Sequence, residues 1–243
     1  FNNECFQNQQ EFGRNIVQAF KQNTQLVSCL AVAPTQSGKT GSMLSIFHHA
    51  MLEESLRCPV QNCFVITAHS DKAWVEQTRK RLPKSMHNNI IHRNMLHKNL
   101  HRFTHIQNAW IIIDEAHIGC QIHQSLFNVF HKAGFLDMQR NLQRNIKLVP
   151  FSATPNSIQK DIESWGCHAT CLQMQVPSQY VSVEQLEKKL RILPCKDLYG
   201  VDEATKAVDT QTFDNIREII QFIGEIPKFH IIRTPRGVKH AIV

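Results

Sequence analysis

The residues best suited to chemistry stand in segment 33–40, which reads A-P-T-Q-S-G-K-T. An apolar stretch precedes this segment and a pattern of helical spacing follows it, so it joins a strand to a helix. At such a helix N-terminus the backbone N–H groups bind phosphate, the Lys39 ammonium can bridge two phosphate oxygens, and the Thr40 hydroxyl can ligate Mg²⁺. We therefore predict a nucleotide-binding loop that consists of Thr35, Gln36, Ser37, Gly38, Lys39 and Thr40.

The segment departs at two positions from the phosphate-loop pattern G-x-x-x-x-G-K-S/T. Ala33 replaces the first glycine, and Gln36 stands where many motor ATPases have another glycine. A G-K-T tripeptide is common by chance. The strand before it and the helix after it are what favour a phosphate loop over an ordinary turn.

A second candidate is the acidic pair Asp114-Glu115, which follows the apolar run from Trp110 to Ile113. Two adjacent carboxylates at the end of a buried strand are unfavourable unless a cation lies nearby. A division of labour resolves this: Asp114 would hold Mg²⁺ through its water shell, and Glu115 would polarise the water that attacks a γ-phosphate. The alternative is a strand that ends in two solvated acids.

A third strand-like run ends in Ser152-Ala153-Thr154-Pro155. The hydroxyls of Ser152 and Thr154 can hydrogen-bond an acidic motif on a neighbouring strand and so transmit the nucleotide state. The tripeptide has little meaning alone. Its weight comes from the order of the three segments, because α/β sheets bind ligands at the carboxyl ends of their parallel strands.

Short apolar runs alternate with segments of helical period along the chain. The predicted strands are 27–33, 63–67, 110–114 and 147–152, with a further strand-like alternation in 169–176. Helical periods lie in 12–20, 43–51 and 122–133. This alternation predicts an α/β fold in which a parallel sheet is flanked by helices.

In this order, A-P-T-Q-S-G-K-T, D-E-A-H and S-A-T resemble motifs I, II and III of the superfamily-two helicases of the DEAH/DEXH type. The resemblance covers about residues 6–155. It implies a RecA-like P-loop NTPase domain that binds ATP and Mg²⁺. It also implies a second RecA-like domain as partner, with DNA or RNA as the strand on which the protein acts.

The resemblance assigns roles to individual positions. It assigns catalysis of hydrolysis to Lys39, Asp114, Glu115 and His117, and binding of the metal to Thr40 and Asp114. Coupling of hydrolysis to strand movement is assigned to Ser152 and Thr154, with His117 also acting in coupling. The family also keeps a glutamine that reads adenine. Gln7 is our candidate for that role, with Gln9 and Gln10 as competitors.

Segment 66–70, I-T-A-H-S, resembles motif Ia, through which the family contacts nucleic-acid phosphates. Thr67 and His69 are therefore assigned to the nucleic acid, with a plain helix cap at Ser70 as the alternative. Two segments are similar in sequence to helicases of large DNA viruses: I-T-A-H-S-D-K-A-W-V-E-Q-T and, later in the chain, F-H-I-I-R-T. That likeness would place the protein in a host cell, in replication or transcription of a viral genome.

Composition agrees with a soluble intracellular protein, and leaves cytoplasm or nucleus open. The chain has 243 residues, of which 42% are hydrophobic, and a formal net charge of +7. This charge favours a polyanionic partner. No apolar run reaches the roughly 18 residues of a membrane span, and the first residues lack the features of a signal peptide.

The eight cysteines lack the paired C-x-x-C units of a structural zinc site, and we interpret them as reduced thiols. A zinc site at Cys167, His168 and Cys171 is the alternative, although 169–176 alternates like a strand.

We expect three regions: an ATP-binding domain in 1–176, a connecting segment in 177–226, and the beginning of a second RecA-like domain in 227–243. A strand is expected at 229–233, and amphipathic helices near 183–190 and 213–223. The Q-x-x-G-R-x-x-R motif of the second domain is not found, and Arg233 and Arg236 stand too early to supply its arginine. The chain is therefore expected to be a fragment that alone binds Mg·ATP weakly and hydrolyses it barely.

The function that these features favour is an ATP-dependent helicase or translocase. One alternative is a double-strand DNA translocase that does not separate strands, since it would share all three motifs. Another is a module that clamps nucleic acid in response to nucleotide without turnover. The presence of both Lys39 and Glu115 favours an enzyme.

Overall fold

A computed structural model of the chain divides it into two compact units, residues 1–180 and 181–243. The residues that it describes are 5–67, 72–116, 125–155, 162–178, 180–182, 185, 188, 210–225, 230–234 and 237–242.

The first unit alternates strands with helices, as the apolar runs predict. Its strands are β1 (Ser28–Val32), β2 (Cys63–Thr67), β3 (Ile90–His92), β4 (Ala109–Asp114), β5 (Ile146–Ser152) and β6 (Ala169–Gln173). Its helices are α1 (Gln7–Gln22), α2 (Lys39–Leu52), α3 (Lys72–Arg81), α4 (Leu100–Thr104), α5 (Ser125–Ala133) and α6 (Met138–Gln143).

The six strands form one parallel sheet in the order β3-β2-β4-β5-β1-β6. Each parallel neighbour requires a crossover connection, and helices supply most of these crossovers. This architecture confirms the predicted fold class, a parallel sheet flanked by helices. The order also matters for the chemistry, because β5 lies between β1, which precedes the loop 33–38, and β4, which carries the acids.

Every position of β2, β4 and β5 is buried, so these strands read as continuous apolar runs rather than alternating ones. Two apolar clusters cover the two faces of the sheet. The largest buried side chain, Trp110, packs edge-on against Phe20 of α1, and its indole N–H donates to the Leu56 carbonyl at 3.0 Å. The core is therefore that of a complete α/β layer structure.

Lys147 is an exception within β5, because it is a charged residue in a buried strand. Its ammonium lies 5.6 Å from the centroid of the Phe20 ring and donates to the Leu26 carbonyl at 3.4 Å. Burial lowers the pKa of Lys147 below its ordinary value of 10.5. The unfolded chain keeps the ordinary value, so the charged lysine costs stability at neutral pH and costs less as the pH approaches 10.5.

Replacement of this buried charge by an apolar side chain of similar volume, Lys147→Met, is expected to change the pH dependence of stability. At pH 7 the free energy of unfolding should stay within about 1.5 kcal/mol of the parent. The parent should gain stability between neutral pH and pH 10, whereas the variant should not gain that increment. Urea unfolding at several pH values measures this difference, and identical pH profiles would contradict the burial argument.

Helices α1 and α2 cross closely at Gly13. A Cβ on Gly13 would lie 2.4 Å from the Ser45 Oγ and 2.8 Å from the Ile46 backbone nitrogen. The Ser45 hydroxyl also donates to the Gln10 carbonyl at 3.1 Å, which ties the two helices together. Helix α2 begins directly after the loop 33–38, so its N-terminus faces the candidate site. The crossing with α1 therefore fixes the position of this N-terminus.

Gly13→Ala should lower the free energy of unfolding by about 1 to 3 kcal/mol, because the added methyl overlaps backbone as well as side-chain atoms. Chemical denaturation measures the loss. The double variant Gly13→Ala/Ser45→Ala is a control: it removes the hydroxyl but not the Ile46 nitrogen, so most of the loss should remain. Full recovery in the double variant would show that the backbones are not in close contact.

The described part of the second unit contains the helix α7 (Thr210–Glu225) and a hairpin of β7 (His230–Thr234) with β8 (Gly237–Ile242). These agree with the amphipathic helix expected around 213–223 and the strand expected around 229–233. The helix expected near 183–190 lies largely outside the described residues. In the described part of the chain, no helix is both long and apolar enough to span a bilayer.

Candidate nucleotide-binding site

Three sequence-predicted segments meet at one edge of the sheet, because they follow three neighbouring strands. Val32 at the end of β1 is the register partner of Ser152 at the end of β5. The Ala33 N–H donates to the Ser152 carbonyl at 3.0 Å, and the Ala116 N–H donates to the Phe151 carbonyl at 2.9 Å. The end of β5 is therefore hydrogen-bonded on one side to the loop 33–38 and on the other side to the acidic segment.

The loop between β1 and α2 requires glycine at position 38. Gly38 has φ +91°, in the left-handed region, and a Cβ there would lie 1.9 Å from the Gln9 Nε2. Gln36 is also left-handed, at φ 62°. The Ser37 hydroxyl is buried and has no hydrogen-bond partner among the residues that the structure describes. A hydroxyl in that state inside such a loop fits a ligand rich in acceptor oxygens, such as a nucleotide phosphate.

The start of α2 is covered by Gln9 rather than Gln7. A Cβ on Gly41 would lie 2.0 Å from the Gln9 Oε1, and this same oxygen accepts from the Phe6 N–H at 3.1 Å. The Gln7 amide instead donates to Glu11 at 2.8 Å on the exposed surface of α1. Gln10 donates to the Cys5 carbonyl. Gln9 is thus the glutamine that packs against the loop 33–38 and the start of α2. The assignment of a glutamine that reads adenine stays a prediction.

Lys39 and Glu115 form an ion pair across the edge, between the first residue of α2 and the residue after β4. Their side chains retain 13% and 22% of their accessible surface, so the pair is shielded from solvent. Glu115 has φ 51°, and backbone strain in non-glycine residues concentrates at functional sites. The four such residues in the described part of the chain comprise Asn108, Asn145, Gln36 and Glu115. Asparagine tolerates this conformation, whereas Gln36 and Glu115 both lie at this edge.

Asp114 is the last residue of β4 and is largely buried. Its Oδ2 accepts a hydrogen bond of 2.9 Å from the indole N–H of Trp74, on α3. Thr67, which is fully buried at the end of β2, is the register partner of Asp114. The sequence offered no signal for the Trp74 contact, because nothing in a helical segment marks the one residue that reaches a neighbouring strand.

Of the remaining predicted site residues, some are described by the structure and two are not. The Ser152 hydroxyl accepts from the Thr154 N–H at 3.0 Å, which closes the turn after β5. Thr40 lies in the first turn of α2, beside Lys39. His69 and His117 lie outside the described residues.

A cavity of about 860 Å³ is lined by the start of α2, the end of β4 and part of α3. Its lining includes Gln9, the loop residues Gln36 to Thr40 other than Ser37, Asp114, and three side chains of α3, which are Gln77, Lys80 and Arg81. Its volume is within the range of small-molecule sites. The Lys39 ammonium, the Thr40 hydroxyl and the buried Asp114 carboxylate are the groups that would bind a triphosphate with its magnesium ion. The residues therefore fit Mg·ATP.

The zinc alternative finds little support at its three positions. Cys167 and Cys171 are exposed. Both ring nitrogens of His168 contact other groups, the Gln25 carbonyl at 2.9 Å and the Gln139 amide at 2.9 Å. Within the described ranges, no group of three or more potential metal-binding side chains occurs.

Comparisons with known proteins add little to this geometry. No family model matches the chain, and no curated protein is significantly similar to it. Among solved structures, the chain is similar to the Hef helicase domain of Pyrococcus furiosus, with 16% identity and a TM-score of 0.40. The match covers 66% of this chain and 38% of that one, so the chain spans little more than a third of its length. At this distance the likeness assigns no residue roles.

Proposed function

We propose that this chain is the ATP-binding half of a nucleic-acid helicase or translocase. One observation supports the proposal best. The loop 33–38, the acid pair and the Ser152 turn lie side by side at the ends of β1, β4 and β5. Their order in the sequence is the order of motifs I, II and III, and their place at the carboxyl edge of a parallel sheet is where such folds bind ligands.

Binding of ATP would use the start of α2. The backbone N–H groups of the loop and the Lys39 ammonium would hold the β- and γ-phosphates, and the Ser37 hydroxyl would gain the acceptor it lacks. Thr40 and Asp114, which both line the cavity, would hold Mg²⁺. When bound, the cation supplies neutralisation of charge on the phosphate oxygens.

Hydrolysis would depend on Glu115 changing partners. In the described site Glu115 pairs with Lys39. Phosphate oxygens carry more charge than one carboxylate, so an incoming triphosphate would draw Lys39 away. Glu115 could then orient a water molecule toward the γ-phosphate and accept its proton. The ion pair would thus keep both groups in a resting arrangement until nucleotide enters.

The nucleic-acid partner is proposed from charge and from the motif Ia resemblance. The chain carries a net charge of +7, and the last turn of α3 contains Arg79, Lys80 and Arg81. Thr67, the described member of the pair assigned to nucleic-acid contact, is fully buried, so its assignment stays a prediction and the proposal depends on the charge. A second RecA-like domain would supply the arginine that completes the site, a contribution on the order of 10³ to 10⁵ in rate.

A test of this proposal measures the release of phosphate from ATP by the full-length protein in the presence of single-stranded DNA, duplex DNA or RNA. We expect one of the three to stimulate hydrolysis severalfold. Strand-displacement and triplex-displacement assays then separate a helicase from a double-strand translocase. Tight Mg·ATP binding with no hydrolysis under any of these conditions would overturn the proposal in favour of a nucleotide-gated clamp.

A further inference from the structure

The contact between Trp74 and Asp114 has no counterpart among the motifs. The indole N–H can only donate, so the 2.9 Å contact to the Asp114 Oδ2 is a hydrogen bond of one polarity, from a neutral donor to a carboxylate. Trp74 is half-buried and packs against the apolar cluster on the α1 face of the sheet. The ring is therefore held by packing as well as by its own hydrogen bond.

The position of Trp74 follows from the fold. Helix α3 starts five residues after Thr67, the register partner of Asp114, so its first turn lies beside the end of β4. Val75 and Thr78 face the core, whereas Gln77, Lys80 and Arg81 line the cavity. One side of α3 thus forms a wall of the candidate site, and Trp74 on that helix donates a hydrogen bond to the acid.

We propose that Trp74 is a positioning residue that fixes the Asp114 carboxylate for binding of Mg²⁺. This inference rests on the proposed function. A carboxylate has two oxygens and about four lone-pair sites, and the indole N–H occupies one of these sites. A carboxylate held in one orientation does not lose rotational freedom when the cation binds, and partners of this kind affect metal affinity by about 10 to 100-fold.

The test replaces Trp74 by phenylalanine, which keeps an aromatic ring but removes the N–H donor. Mg²⁺ is titrated at a fixed concentration of a fluorescent N-methylanthraniloyl ATP, and the half-saturating Mg²⁺ concentration is read from its emission. We expect Trp74→Phe to raise that concentration about tenfold or more. The matched control is Trp165→Phe, which changes a half-buried tryptophan on the opposite face of the sheet and should leave the concentration unchanged.

A second measurement needs no change at Trp74. In Trp165→Phe, the remaining tryptophans are Trp74 and the buried Trp110, so addition of Mg·ATP should alter the emission of Trp74, whose indole touches the acid. Absence of that change, or an unchanged or lower Mg²⁺ requirement in folded Trp74→Phe, would overturn the inference and leave the proposed function standing. Failure of the parent to bind the ATP analogue at any Mg²⁺ concentration would overturn both.

Discussion

Lys39→Ala should weaken binding of Mg·ATP by at least about 100-fold, because hydrogen bonds to charged groups contribute about 1.5 to 3 kcal/mol each and the ammonium would contact two phosphate oxygens. The variant also leaves the Glu115 carboxylate beside the incoming phosphates without the cation that faces it in the described site. Isothermal titration calorimetry of the parent and the variant measures the difference.

The chain offers a matched control for this change. Lys21 forms an ion pair of 2.7 Å with Glu53, away from the candidate site and more exposed than the pair of Lys39 with Glu115. Lys21→Ala therefore removes a lysine and an ion pair without touching the cavity. If it lowered the affinity for Mg·ATP as much as Lys39→Ala, the effect would reflect general charge or folding, and the phosphate-loop assignment would fail.

Glu115→Gln should abolish turnover while retaining the affinity for Mg·ATP. The amide can hold a water molecule but cannot accept its proton, and loss of a general base lowers the rate by about 10² to 10⁴-fold. Release of phosphate by the full-length protein gives the rate of ATP hydrolysis. Calorimetry gives the affinity for Mg·ATP.

The control for this variant is Glu53→Gln, the acid of the matched ion pair. It should leave both the rate and the affinity unchanged. Parental hydrolysis by Glu115→Gln would mean that another group accepts the proton. Loss of binding together with turnover would instead assign Glu115 to the binding of nucleotide, beyond its contact with Lys39.

The sequence predicted the sheet well where burial is complete. The strands β2, β4 and β5 are buried throughout, so each reads as an apolar run, interrupted in β5 by Lys147, whose end is marked by a polar residue. In contrast, β3 has three residues at the edge of the sheet, and α4 has five, so neither is long enough to repeat its period twice. Helix α3 has a polar surface and few buried positions, which hides its amphipathic face.

The site was predictable as far as the ends of strands are concerned. The loop before α2, the acids after β4 and the turn after β5 meet because parallel neighbours share an edge. The ion pair of Lys39 with Glu115, the Trp74 contact and the packing of Gln9 over Gly38 depend on side-chain directions across different elements. Sequence spacing does not encode those directions, so these contacts became visible only in the folded chain.

The central claim is that the edge formed by β1, β5 and β4 is a nucleotide site organised around the β- and γ-phosphates. Its most direct test is calorimetric titration of this chain with ATP, ADP and AMP in the presence of Mg²⁺. Because the loop and Lys39 would act on phosphates beyond the first, ATP and ADP should bind whereas AMP should bind at least about 100-fold more weakly. Equal affinity for AMP and ADP, or no binding of any of the three, would contradict the assignment of this edge.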